Sequence, residues 1–219
     1  MLAEARIASR TLSANARVLL SQHDDFAADV SFDGFGHGAE VAARAALEAG
    51  VTRIVVATEP EVAKLATVGL PSTVVHDHER ALDFYGLGSD GRFQPAMSVV
   101  APVLGMKRVE PGDGVSYGYT FRAAASSQLA LVGIGYADGL DRAASNVGTL
   151  ELGGRERRIV GRVAMNVLMV DLGDDDVTLG DLAVVFDAHR RPADWARAIG
   201  RQPAEVATEF GSKLARVWL

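Results

Sequence analysis

The chain has 219 residues, 48% of them hydrophobic and 23% charged, with a formal net charge of −6. That length and composition support a buried core in one or two domains, and the acidic balance argues against a nucleic-acid or anionic-membrane surface. Cysteine is absent, which excludes disulfides, thiolate metal sites and a cysteine nucleophile.

No apolar run approaches the ~18 residues of a membrane span, and the start carries no secretory signal pattern. The expectation is a cytoplasmic protein with no membrane partner. Along the chain, Ala5–Leu12 reads as a strand, and Ser13 can cap a helix to about Ser21. Phe26–Val30 is a second strand candidate. The glycine-rich turn Gly34-Phe35-Gly36-His37-Gly38 follows. Ala39–Ala49 is alanine-rich and helical, and Gly50 sits at the expected C-terminal stop. Arg53–Thr58 is the clearest buried strand. Thr58 and Glu61 have capping-box spacing, with Pro60 in the first turn of a helix ended by Gly69. Ser72–Val75 is a short strand and Glu79–Tyr85 a helical turn. Alternation of strand and helix implies parallel pairing.

The pattern changes at 86–91, which reads as a linker or loop. Strands are then expected at Ala96–Val109, Tyr117–Ala123, Gln128–Tyr136, Gly148–Leu152, Arg157–Val163, Met165–Leu172 and Asp181–Phe186. Short strands separated by glycine turns point to a β barrel or sandwich. Two helices, Ala193–Ile199 and Pro203–Lys213, close the chain before Arg216-Val217-Trp218.

The second half carries several phrases in a fixed order. They are Pro95-Ala96-Met97, Val115-Ser116-Tyr117-Gly118, Gly135-Tyr136-Ala137-Asp138-Gly139 with Arg142, Gly161-Arg162-Val163-Ala164-Met165-Asn166 with Asp171, and Arg216-Val217-Trp218. Together they resemble the C-terminal β domain of alanine racemases. Gly36-His37-Gly38 and Val55-Val56-Ala57-Thr58 resemble the start of that family's barrel. A complete (β/α)8 barrel needs roughly 250 residues, and the stretch before Phe93 holds about three βα units. The resemblance therefore implies an α/β + β chain. Residues 1–91 are read as a truncated (β/α) barrel remnant, and 92–219 as an alanine-racemase-type β domain.

That family racemises amino acids with pyridoxal phosphate held on a lysine, whose amine condenses with the cofactor aldehyde. The resemblance places that lysine four residues before the aromatic of the Gly-His-Gly turn. Here the aromatic is Phe35, replacing a tyrosine, and four residues back is Ser31. The remaining lysines are Lys64, Lys107 and Lys213, on a helix, a β-domain strand and the last helix. The family's entrance tyrosine aligns with Ala204, and Asn166 stands where an aspartate is usual. Tyr136 is kept at the position assigned to the second base, and Met165 where a backbone amide binds the substrate carboxylate. No cofactor is expected, and the loss of the lysine argues against activity. The expected protein is a pseudoenzyme that binds a small amino-acid-like ligand or a protein. The alternatives are residual racemase or isomerase activity through Tyr136, and docking on a full-length racemase. Open strand edges in a three-stranded remnant imply a homodimer.

Other candidates have plainer readings. His37 between glycines orders a loop. His76-Asp77-His78 could hold a divalent metal but has no third ligand, so no metal is expected. Asp174-Asp175-Asp176 reads as a solvated turn.

Overall fold

The fold was read from a computed structural model that describes residues 2–75 and 80–219. The chain opens with strand β1 (Glu4–Ile7), and helix α1 (Ser9–Leu20) follows at once. The expected strand Ala5–Leu12 is thus half helix. Ser13 is no cap. It lies buried inside α1, where its hydroxyl donates to the Ala45 carbonyl at 2.9 Å. The apolar stripe decided this: Leu12, Ala16 and Leu19 share one face at helical spacing, and all are buried.

Next come β2 (Ala28–Asp29), the turn segment α2 (Ser31–Phe35) and α3 (Ala39–Glu48). They are followed by β3 (Ile54–Val56), α4 (Glu59–Ala66), β4 (Thr73–Val74) and α5 (Ala81–Tyr85). Strands β2, β3 and β4 form a parallel three-stranded sheet in that order, as the alternation of strand and helix implies. The Thr58–Glu61 spacing serves a different purpose from a capping box. Thr58 Oγ1 donates to Glu61 Oε2 at 2.8 Å, while Glu61 Oε1 accepts the Phe32 N–H at 2.7 Å, tying α4 to the α2 turn.

The second half holds β5 (Met97–Val109), β6 (Gly114–Val115), β7 (Phe121–Arg122), β8 (Ser127–Val132) and β9 (Thr149–Leu152). Then come β10 (Arg155–Val160), β11 (Leu168–Gly173), β12 (Leu182–Phe186), α6 (Pro192–Ala198), α7 (Pro203–Lys213) and β13 (Ala215–Trp218). The larger sheet runs β12-β9-β10-β11-β8-β5-β1-β13, and β12 also pairs with β5. That extra pairing closes the strands from β5 to β12 into a barrel, which removes most free edges. Residues 117–119, expected within a strand, form a short 3-10 turn, as does Tyr136–Asp138 beyond the end of β8. Met165 and Asn166 precede β11 in a loop instead of opening it.

The two halves share one core. β1 pairs antiparallel with β5 and parallel with β13, so the first strand of the 1–91 region belongs to the larger sheet. Buried Asn15 on α1 bonds Phe84 O at 3.0 Å and Gln94 O at 2.8 Å, and accepts Gln94 N–H at 3.0 Å. The stretch 86–91 is a pinned loop: Arg191 Nη2 donates to the carbonyls of Gly88, Asp90 and Phe93. Gly86 is obligatory there, since its φ is +66° and a Cβ would lie 2.0 Å from Gln94 O. Asp175 is also more than a solvated turn residue. It binds Arg157, whose side chain is 9% exposed, at 2.5 Å. Among the described residues, no helix is long and apolar enough to cross a membrane.

Candidate functional site

The turn after β2 is the most strained stretch of the described backbone. Phe32, Asp33, Gly34 and Phe35 are consecutively left-handed, with φ of 53°, 56°, 65° and 49°. Such geometry costs roughly 1–2 kcal/mol for each non-glycine residue, so other contacts must hold it. Asp33 supplies many of them: it accepts Ala39 N–H at 3.0 Å, pairs with Arg216 of β13 at 2.6 Å, and meets Lys64 Nζ at 3.7 Å. Partial burial opposes ionisation of Asp33. The Ala39 N–H and the Arg216 guanidinium outweigh it and hold the carboxyl below its ordinary range.

His37 behaves as the loop-ordering residue expected of it. It is fully buried, its Nδ1 lies 3.0 Å from Gly34 O and 3.1 Å from Phe35 O, and its ring lies against Tyr85 at 4.6 Å between centroids. Burial lowers its pKa to about 4, so the neutral imidazole persists at ordinary pH. Ser31 is also fully buried. Its hydroxyl donates to Asp29 Oδ1 at 2.5 Å, and its N–H to the same oxygen at 2.9 Å.

A cleft of about 610 Å³ opens between this turn, the Tyr136–Asp138 turn and the helices α6 and α7. It brings together Phe35, Tyr136 and Ala204 of the residues singled out from sequence; Ser31, Met165 and Asn166 do not line it. Tyr136 is 39% exposed and carries the Arg142 guanidinium 5.6 Å from its ring centroid. Asp141 pairs with Arg201 at 2.6 Å across the cleft wall. Lys213 also lines the cleft, its ammonium bound to Glu209 at 2.6 Å. Two of the three lysines thus approach the Gly-His-Gly turn more closely than their places in the sequence imply. His76-Asp77-His78 lies outside the described residues.

Sequence reasoning used Tyr117 only as part of a phrase. The fold gives it more prominence. It is 73% exposed, on a turn where Ser116, Gly118 and Tyr119 all have positive φ. Met165 is 57% exposed, and its loop is tied to the Tyr136 turn: Tyr136 N–H donates to Ala164 O and Ala137 N–H to Met165 O. No periodicity could have indicated a tyrosine displayed by strained backbone.

The alanine racemase C-terminal domain matches residues 96–218, more than half of the chain. The chain belongs to the alanine racemase C-terminal domain family. An alanine racemase of Salinispora arenicola is 45% identical over 139 residues, which cover 60% of this chain and 37% of the relative. One from Thermobifida fusca is 44% identical over 129 residues, 57% of this chain and 34% of the relative. The aligned region therefore spans little more than a third of the length of these curated alanine racemases. In three dimensions, alanine racemase of Streptomyces coelicolor overlays with a TM-score of 0.88 at 23% identity, covering 100% of this chain and 98% of that one. Alanine racemase of Bartonella henselae, solved with covalently bound pyridoxal phosphate, overlays at 0.84 and 19% identity, covering 100% of both chains. At such identities the overlays establish the alanine racemase fold and no more.

Proposed function

We propose that this alanine-racemase-family chain is a pseudoenzyme that does not racemise through pyridoxal phosphate and instead binds a small amino-acid-like ligand in the cleft beside Tyr136. The observation that carries this is Ser31. An alcohol has no amine to condense with an aldehyde, and this one is buried with its proton given to Asp29. Phe35 and Ala204 in the cleft add no hydroxyl to grip a phosphate. The residues present therefore do not fit the family's cofactor. The cleft volume lies within the range of small-molecule sites, and the Asp141–Arg201 and Glu209–Lys213 pairs offer both charges to a zwitterion.

The decisive experiment is equimolar loading with pyridoxal phosphate, borohydride reduction and peptide mass mapping. No stoichiometric adduct should form, and L-alanine should not be converted to its mirror image above the buffer rate. A single adduct on Lys64 or Lys213 together with racemisation would overturn the reading, because an ammonium near the turn would then have replaced the missing one. Residual isomerase activity through Tyr136 is the second reading, favoured by its place in the cleft; equal rates for Tyr136→Phe and the parent would dispose of it. On the same reading, 1–91 is a truncated barrel remnant of about three βα units. The end-to-end overlay on a longer racemase supports an interior shortening. Among the described residues β2 and β4 each lack a second strand partner, which favours a homodimer, and light scattering giving a monomer at micromolar concentration would refute it.

A further inference from the structure

A second cavity, of about 300 Å³, shares no lining residue with the cleft and is built on the sheet itself. Its floor is formed by the partly exposed Leu131 of β8 and Met169 of β11, and Leu129, Val109 and Val115 bound it on the side of the β6–β7 hairpin. The register explains the floor. Lys107 faces Leu129 and Gly105 faces Leu131 across β5 and β8, and Leu131 faces Met169 across β8 and β11. Directly opposed residues share a sheet face. The β6–β7 hairpin folds over only part of that face, burying Val109, Val115, Ala123, Leu129 and Val160 as a small core of its own. What it leaves uncovered is the cavity.

The charged residues lining the cavity are Lys107 and Arg162; no carboxylate lines it. Neither cation has an ion-pair partner among the described residues, although nearby arginines do. Arg108 has Glu110 at 3.6 Å, and Arg157 has Asp175 at 2.5 Å. The nearby Asp171 carboxylate is engaged by the Ser127 hydroxyl at 2.5 Å. Backbone constraints hold the Arg162 side of the mouth. Ser116 Oγ donates to Arg162 O at 2.7 Å, and Gly161 packs so tightly that a Cβ would lie 2.7 Å from that of Ser116. A Cβ on Gly118 would come within 3.5 Å of the Arg162 Cζ, so the guanidinium lies under the Tyr117 turn. An apolar hole with cations and no anion at its mouth is complementary to an apolar body carrying one negative charge.

We propose that this cavity is a binding site for a small amphipathic carboxylate, its hydrocarbon body on Leu131 and Met169 and its head group between Lys107 and Arg162. The site is separate from the Tyr136 cleft and does not depend on the reading given to that cleft.

The test uses octanoate as the probe, with octanol as the uncharged body and acetate as the charge alone, titrated into the full chain by calorimetry and by amide chemical-shift mapping. Octanoate should bind saturably, at least tenfold tighter than octanol, with the largest shifts at Leu131 and Met169, while acetate gives no saturable shift. The double variant Lys107→Gln/Arg162→Gln, at two exposed positions, should retain the parent's thermal transition and its octanol affinity but lose about tenfold for octanoate. Octanol binding as tightly as octanoate would overturn the proposal. So would unchanged octanoate affinity in the double variant, shifts confined to the Tyr136 cleft, or no saturable binding of octanoate.

Discussion

Gly211→Ala separates local preference from tertiary packing. Gly211 lies near the end of α7, and in an isolated helix alanine is favoured over glycine by about 1 kcal/mol. In the fold the sign reverses. A Cβ at 211 would lie 2.0 Å from the Gly36 carbonyl oxygen and 2.5 Å from its C and Cα atoms, all of them backbone. Gly36 is equally constrained from its side, with φ of +83° and a Cβ position 2.4 Å from Ala207 O. Ordinary contact begins near 3.4 Å, so α7 would have to retreat about 1.4 Å from the turn. Inserting a methyl into a packed contact costs roughly 1–3 kcal/mol, and rigid backbone on both sides puts this case at the upper end. After the propensity gain is subtracted, the expected net loss is about 2 kcal/mol. For a chain of this size that lowers Tm by roughly 4–8 °C. Thermal unfolding followed by circular dichroism measures it. Gly91→Ala, where nothing lies within 4 Å of the added Cβ, should stay within about 0.5 kcal/mol of the parent. An unchanged or raised Tm for Gly211→Ala would refute the claim that this backbone crossing seats α7 against the strained turn.

Acid should destabilise the fold through His37. Its folded pKa of about 4 lies below the unfolded value of 6.5, so the unfolded chain binds the extra proton. That contribution is complete above the unfolded value, falls as pH drops from 6.5 towards 4, and amounts to about 3 kcal/mol. Urea midpoints for the parent and His37→Gln should converge over that window; parallel curves would contradict the burial argument. Arg157→Gln should cost about 1–2 kcal/mol in urea unfolding, since the Leu152 and Leu172 carbonyls lose their guanidinium donor while Asp175 keeps Arg155 at 2.9 Å. Tyr85→Phe removes a buried donor to Asp29 O and should cost about 1 kcal/mol by the same measurement; no loss would mean that the carbonyl finds another donor.

Much of this protein was legible in its residues because the relevant signals are local. Parallel pairing of β2, β3 and β4 follows from alternating strands and helices. Gly50 and Gly69, with φ of 100° and 76°, end their helices as expected because only glycine adopts that backbone without strain. The family was readable from ordered phrases. The start of α1 was misread because Ala5–Leu12 carries both a strand period and the first turn of a helical stripe. What decides between them is distant: β1 finds β5, ninety or more residues away, and β13, more than two hundred away. The closure of the β5–β12 barrel, the left-handed turn braced by Arg216 and Glu61, and the cleft that joins Phe35 to Tyr136 and Lys213 depend on such long-range contacts. A residue's own preferences state which conformations are cheap; only the packed chain determines which costly one its neighbours hold in place.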